Sequence, residues 1–126
     1  MEKLINCDVF LDIHMIENIS GGNQEFEILV ILTDGRKVKL CFDPVWDMRY
    51  SIENGYIDRA TKFEREEVKK SSVVEVKNSD YIKYFEGQIS GTRPTKELRD
   101  FILFDKVDTV VELLTFEEPK LEEIEG

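Results

Sequence analysis

The chain has 126 residues, 41% of them apolar and 10% aromatic, which is enough for one hydrophobic core and too little for two. Its 27 acidic residues outnumber 17 Lys and Arg, for a formal charge of −10. Such a charge repels phosphate backbones and anionic bilayers and attracts basic surfaces, so it argues against nucleic acid and membrane and for a basic protein partner.

Residues 7–15 come first. Cys7, Val9, Leu11, Ile13 and Met15 alternate with Asp8, Phe10, Asp12 and His14, the period of a half-buried strand. Ser20-Gly21-Gly22-Asn23 supplies turn chemistry before a second strand over 25–33, whose apolar parity is Phe26, Ile28, Val30 and Leu32. The third strand, 36–42, carries Val38, Leu40 and Phe42 on even positions. Matching apolar faces then decides the register. A two-residue Asp34-Gly35 turn would set Val38 opposite Ile31 and join an apolar face to a polar one. A three-residue loop, Thr33-Asp34-Gly35, with Gly35 left-handed, pairs Val30 with Val38, Ile28 with Leu40 and Phe26 with Phe42.

Asp43-Pro44 offers an N-cap followed by proline at the first helical position. Val45, Met48, Ile52, Tyr56 and Phe63, widened by Trp46 and Ile57, predict a helix over 44–63. The charged stretch 64–72 reads as a frayed helix end or an exposed connection, and mobility is expected there. Val73, Val74 and Val76 predict a fourth strand. Asn78 or Ser79 then caps a second helix bearing Tyr81, Ile82, Tyr84, Phe85 and Ile89, which Gly91 ends. Arg99–Phe104 and Thr109–Phe116 predict a terminal hairpin, placed centrally because both its faces carry apolar residues. Residues 117–126, with five Glu, read as a loose acidic tail. The expected fold is α+β over residues 1–116: a mainly antiparallel sheet of about six strands with two helices, in the order β-β-β-α-β-α-β-β.

Met1 to Cys7 lacks the basic start and apolar run of a secretory signal, and the longest apolar run, Ile28 to Leu32, is far below the roughly 20 residues that span a bilayer. A cytoplasmic location is expected, with Cys7 and Cys41 as free thiols.

Residues with reactive chemistry are few. His14 is the sole histidine and shares a strand parity with Asp8 and Asp12, but Cys7 falls on the other parity and zinc needs three or four ligands, so a surface histidine and no metal are expected. Cys41 shares a parity with Lys37 and Lys39, which would lower its pKa if all faced solvent; the alternative is a thiol covered by the helix. Ser20-Gly21-Gly22-Asn23 has neither the spacing nor the lysine of a nucleotide loop, so no cofactor is expected. Arg93, between Thr92 and Pro94, is placed to dock on a carboxylate, and Trp46 reads first as a core anchor. No catalytic set assembles, and a non-enzymatic role is expected. Asp47, Glu53 and Asp58, on the polar side of the first helix with Trp46 as support, are the candidate acidic contact for a partner.

The stretch Phe42-Asp43-Pro44-Val45-Trp46-Asp47-Met48-Arg49-Tyr50-Ser51-Ile52-Glu53-Asn54, together with Tyr81-Ile82-Lys83-Tyr84-Phe85, Ser90-Gly91-Thr92-Arg93-Pro94 and the acidic end, resembles small acidic bacterial immunity proteins encoded beside polymorphic toxins. The resemblance implies a protein that binds and neutralises a cognate toxin without catalysis. Two other readings stay open: a structural or regulatory accessory protein that self-associates into a homo-oligomer through its sheet edge, and a small enzyme using an acid pair or Cys41.

Overall fold

The computed structural model describes residues 2–52, 71–89 and 94–124. They form β1 (Lys3–Asn6), β2 (Ile13–Gly22), β3 (Glu25–Leu32), β4 (Lys37–Phe42), β5 (Asp47–Ile52), β6 (Val73–Lys77), helix α1 (Asp80–Ile89), β7 (Arg99–Phe104), β8 (Thr109–Thr115) and β9 (Lys120–Ile124). The strands make two sheets, ordered β1-β6-β7-β8-β5 and β2-β3-β4-β9, and every neighbouring pair is antiparallel.

The alternation read from residues 25–42 produces the expected hairpin. Phe26 pairs with Phe42, Ile28 with Leu40 and Val30 with Val38. The three-residue loop closes through Gly35 N–H donating to the Leu32 carbonyl at 2.9 Å, with Gly35 at φ +92°, a region glycine enters without steric cost. The inward parity of this hairpin meets Val73, Phe101, Leu103, Val111 and Leu113 of the other sheet, and the Phe42 and Phe101 rings lie 6.5 Å apart at the centre. The five-stranded sheet is buried on its second face too. Leu4, Val74, Val76, Ile102 and Val110 cluster there, and α1 packs Tyr81 over Leu98 and Leu114. This explains why β7 and β8 occupy interior positions in their sheet, as their two apolar faces predicted.

The expectation of a mainly antiparallel sheet holds, but the layout differs: nine strands in two sheets, with one helix among the described residues, instead of six strands and two helices. The first predicted strand, 7–15, is replaced by two. β1 belongs to the five-stranded sheet and β2 to the four-stranded one, and residues 7–12 cross between them. Ser71 and Ser72 hold that crossing: the Ser71 hydroxyl accepts from Leu11 N–H at 3.3 Å and the Ser72 hydroxyl from Ile13 N–H at 2.8 Å. Both serines are buried, so the end of the supposed mobile connection is a structural seam. Residues 64–70 lie outside the described residues. The simple alternation of β2 fails because register shifts at His14 and Glu17 each insert a residue into the strand. The turn also falls later than read. Gly21 and Gly22 stay in the ladder, and Asn23 and Gln24, at φ 55° and 74°, make a two-residue turn that suits hairpin twist.

The helix predicted over 44–63 is contradicted in its first part. The Asp43-Pro44 peptide is cis, and residues 47–52 form β5, paired with β8 from Asp47↔Leu114 to Ile52↔Thr109. Trp46, Met48, Tyr50 and Ile52 also alternate with Asp47, Arg49 and Ser51, and the long-range ladder favours that period over the helical one. The rest of the predicted helix, and Gly91 as the stop of α1, lie outside the described residues. The supposedly loose tail is likewise ordered over 120–124, where β9 completes the four-stranded sheet by pairing with β4.

Candidate functional site

The register that aligns β3, β4 and β9 gathers acidic residues at one end of the four-stranded sheet. Glu27 stands opposite Cys41, and Cys41 opposite Lys120 on its other side. Glu25 precedes this row, Asp43 leaves β4 there, and Glu117 and Glu118 lead into β9. These residues line a cleft of about 410 Å³ with Phe26, Cys41 and Phe42, so five carboxylates face one ammonium, that of Lys120.

The carboxylates of the cleft are held to different degrees. Glu118 is tied down, its Oε1 accepting from Val9 N–H at 2.9 Å and its Oε2 lying 3.6 Å from Arg99. Glu27 sits 3.6 Å from the ammonium of Lys39, which also reaches Glu122 at 3.8 Å. Glu25, Asp43 and Glu117 are exposed. The loop under the cleft is pinned by Val45 N–H donating to the Gln24 carbonyl at 2.8 Å and by the Thr115 hydroxyl donating to the Pro44 carbonyl at 2.6 Å. A hairpin backbone stands close by: a Cβ on Gly21 would lie 2.1 Å from the Glu25 carbonyl oxygen, so only glycine fits.

Both thiols are shifted away from the thiolate form by their surroundings. Burial pushes the Cys41 thiol up, Glu27 adds to the shift, and the nearby Lys39 fails to reverse it. The expectation that Lys37 and Lys39 lower this pKa is therefore corrected, and Cys41 lies in the cleft lining. Cys7 is pushed up to about 12 by burial and by Glu118, and its Sγ donates to the carbonyls of Val9 and Val73. Both cysteines are free.

Of the partner-contact residues singled out from sequence, Asp47 and Trp46 fall among the described residues. Asp47 opens β5, and its Oδ2 accepts the Tyr81 hydroxyl at 2.6 Å, tying β5 to α1. Burial and this carboxylate together push the Tyr81 phenol up. The Arg49 guanidinium lies 3.6 Å above the Tyr81 ring, completing the tie. Trp46 is a packing residue, edge-on to Phe116 at 4.8 Å and 6.2 Å from Phe85. Glu53, Asp58 and Arg93 lie outside the described residues. His14 is exposed at a bulge of β2, and Asp12 is engaged by the Thr33 hydroxyl at 3.0 Å and by Lys106 at 3.3 Å. Among the described residues, no group of three or more His, Cys, Asp and Glu is arranged to hold a metal ion.

Sequence reading missed the buried carboxylates. Glu75, on β6, receives Arg99 in two bonds, Nη2 to Oε1 at 2.8 Å and Nε to Oε2 at 3.0 Å, with Lys77 at 3.3 Å from Oε2. Burial pushes its carboxyl up, but the bonds and charge of Arg99, with Lys77 behind them, outweigh burial and hold it below the usual carboxylate range. Asp100 accepts the Ser79 hydroxyl, while Ser79 itself accepts from Ile82 N–H at 3.0 Å and caps α1 as expected. Glu112 lies opposite Arg49 in the β5–β8 register. Glu75 and Asp100 are tied to neighbouring residues of the five-stranded sheet and of the α1 cap.

No helix among the described residues is long and apolar enough to cross a membrane. Comparison with protein-family models, with curated proteins and with solved structures found no match.

Proposed function

We propose that the protein is a non-enzymatic binding module for a basic protein partner, an immunity- or inhibitor-type neutraliser whose contact surface is the acidic cleft. The single observation that carries this reading is the imbalance in the cleft, five carboxylates to one ammonium, on a chain of net charge −10. The overall charge steers a cationic partner toward the protein and raises its encounter rate. The exposed carboxylates of Glu25, Asp43 and Glu117 then offer acceptors to its lysines and arginines. Each such pair is worth little singly in solvent, so affinity comes from several together with the apolar contact offered by the half-buried Phe26. Trp46 contributes packing to this design, against Phe85 and Phe116.

The test is capture of a partner on immobilised protein from an extract of the source cells, followed by a salt titration of the complex. A partner with a positive surface patch is expected, with affinity falling about tenfold or more between roughly 50 and 500 mM salt. A tight partner without such a patch, or an affinity indifferent to salt, would overturn the reading.

A further inference from the structure

The four strands that end the two sheets differ in how open they are to further pairing. β1 is four residues long and β2 is bulged at His14 and Glu17, both features that discourage an added strand, while β5 continues into residues outside the described set. β9 carries no bulge and is one residue longer than β1. Its five residues pair with β4 in one unbroken register, and its other side has no strand among the described residues. Every second residue of such an edge points its N–H and C=O away from the sheet. Leu121 is 47% exposed although its partner Leu40 is fully buried, so the apolar face of the sheet runs out to this edge uncovered.

Charge selects the occupant. In the fully overlapped antiparallel register a second copy of β9 would stack Glu122 on Glu122, which disfavours self-pairing. A strand with Lys or Arg opposite Glu122 and Glu123, and an apolar residue opposite Leu121, satisfies all three positions. The edge is also continuous with the acidic cleft, because Glu117 and Glu118 line that cleft immediately before β9 and Lys120, the first residue of the β9 ladder, lines it too. We propose that the free side of β9 is a docking edge on which an extended, lysine- or arginine-bearing segment of the basic partner adds a fifth strand to the four-stranded sheet. This rests on the reading of the protein as a binder of a basic protein, and it specifies the edge and the strand-shaped ligand.

The experiment uses the full chain with two synthetic peptides, Thr-Lys-Lys-Val-Thr and its twin Thr-Glu-Glu-Val-Thr, and reads amide hydrogen exchange by NMR. The lysine peptide is expected to slow exchange within residues 120–124 about tenfold or more, and the glutamate twin to leave it unchanged. A Glu122→Lys, Glu123→Lys double variant, altered only at exposed side chains, is expected to lose the response to the lysine peptide. The proposal is overturned if the lysine peptide fails to bind, binds without slowing these amides, or slows them no more than its twin. It is also overturned if they slow with protein concentration alone, since a second copy would then occupy the edge. Failure of the functional reading looks different: salt-dependent capture of a basic protein that leaves 120–124 unprotected removes only the edge, whereas peptide protection without a basic partner removes only that reading.

Discussion

In the five-stranded sheet Glu75, Asp100 and Glu112 are 3%, 0% and 5% exposed, whereas in the four-stranded sheet Glu25, Glu27 and Glu122 stand in solvent. Both sheets thus carry carboxylates on their strands, but they use them in opposite ways. Burying a carboxylate costs several kcal/mol unless bonds replace its water, and Glu75 obtains its replacement from Arg99 and Lys77. The charge of Glu75 is therefore committed internally and braces the fold. In the four-stranded sheet, Lys39 spans Glu27 and Glu122 in solvent, an arrangement that contributes little to stability and leaves charge available for a partner. One sheet is the frame, and under the proposed function the other is the display.

Substitutions that separate frame from display should rank accordingly. Phe101→Ala, at a fully buried ring facing Phe42, is expected to cost about 3–5 kcal/mol in urea unfolding. Arg99→Met leaves the Glu75 carboxylate buried with one partner fewer and is expected to cost about 2 kcal/mol at neutral pH. Its pH dependence is diagnostic. Because the folded Glu75 pKa is depressed, its contribution is full above the ordinary carboxylate range and is lost as pH falls through the folded value. The gap between wild type and Arg99→Met should accordingly narrow in acid, as followed by urea midpoints across that range. A gap that widens in acid would break the assignment of Glu75 to the frame. Gly21→Ala, which forces a Cβ against the Glu25 carbonyl at φ +139°, is expected to cost about 1–3 kcal/mol, visible as a lowered thermal midpoint. Lys39→Ala, on the display side, should change stability by under about 0.5 kcal/mol.

The parts of this fold legible in the sequence are those where two neighbouring segments constrain each other. Strands 25–32 and 37–42 both alternate, and only one loop length joins their apolar faces, so a residue-level register followed. The β7–β8 hairpin and the Ser79-capped helix were legible for similar local reasons. β5 was not, because Val45, Met48 and Ile52 fit a helical stripe while Trp46, Met48, Tyr50 and Ile52 fit a strand. The choice is made by a ladder to β8 about sixty residues away. β9 carries too few apolar residues to announce itself and exists through its pairing with β4. The acidic cleft was half legible. The derived register already set Glu27 beside Cys41, but nothing local brings Glu117 and Glu118 to the same end.

The central claim is that recognition resides in the cleft and not merely in net charge. The affinity of the captured basic partner for Glu25→Lys, Glu117→Lys protein, measured beside a Glu86→Lys, Asp108→Lys control on exposed positions elsewhere, separates the two, since both double variants shift the net charge equally. The account predicts a loss of tenfold or more for the cleft variant and a small loss for the control; equal losses, or none in the cleft variant, would contradict it.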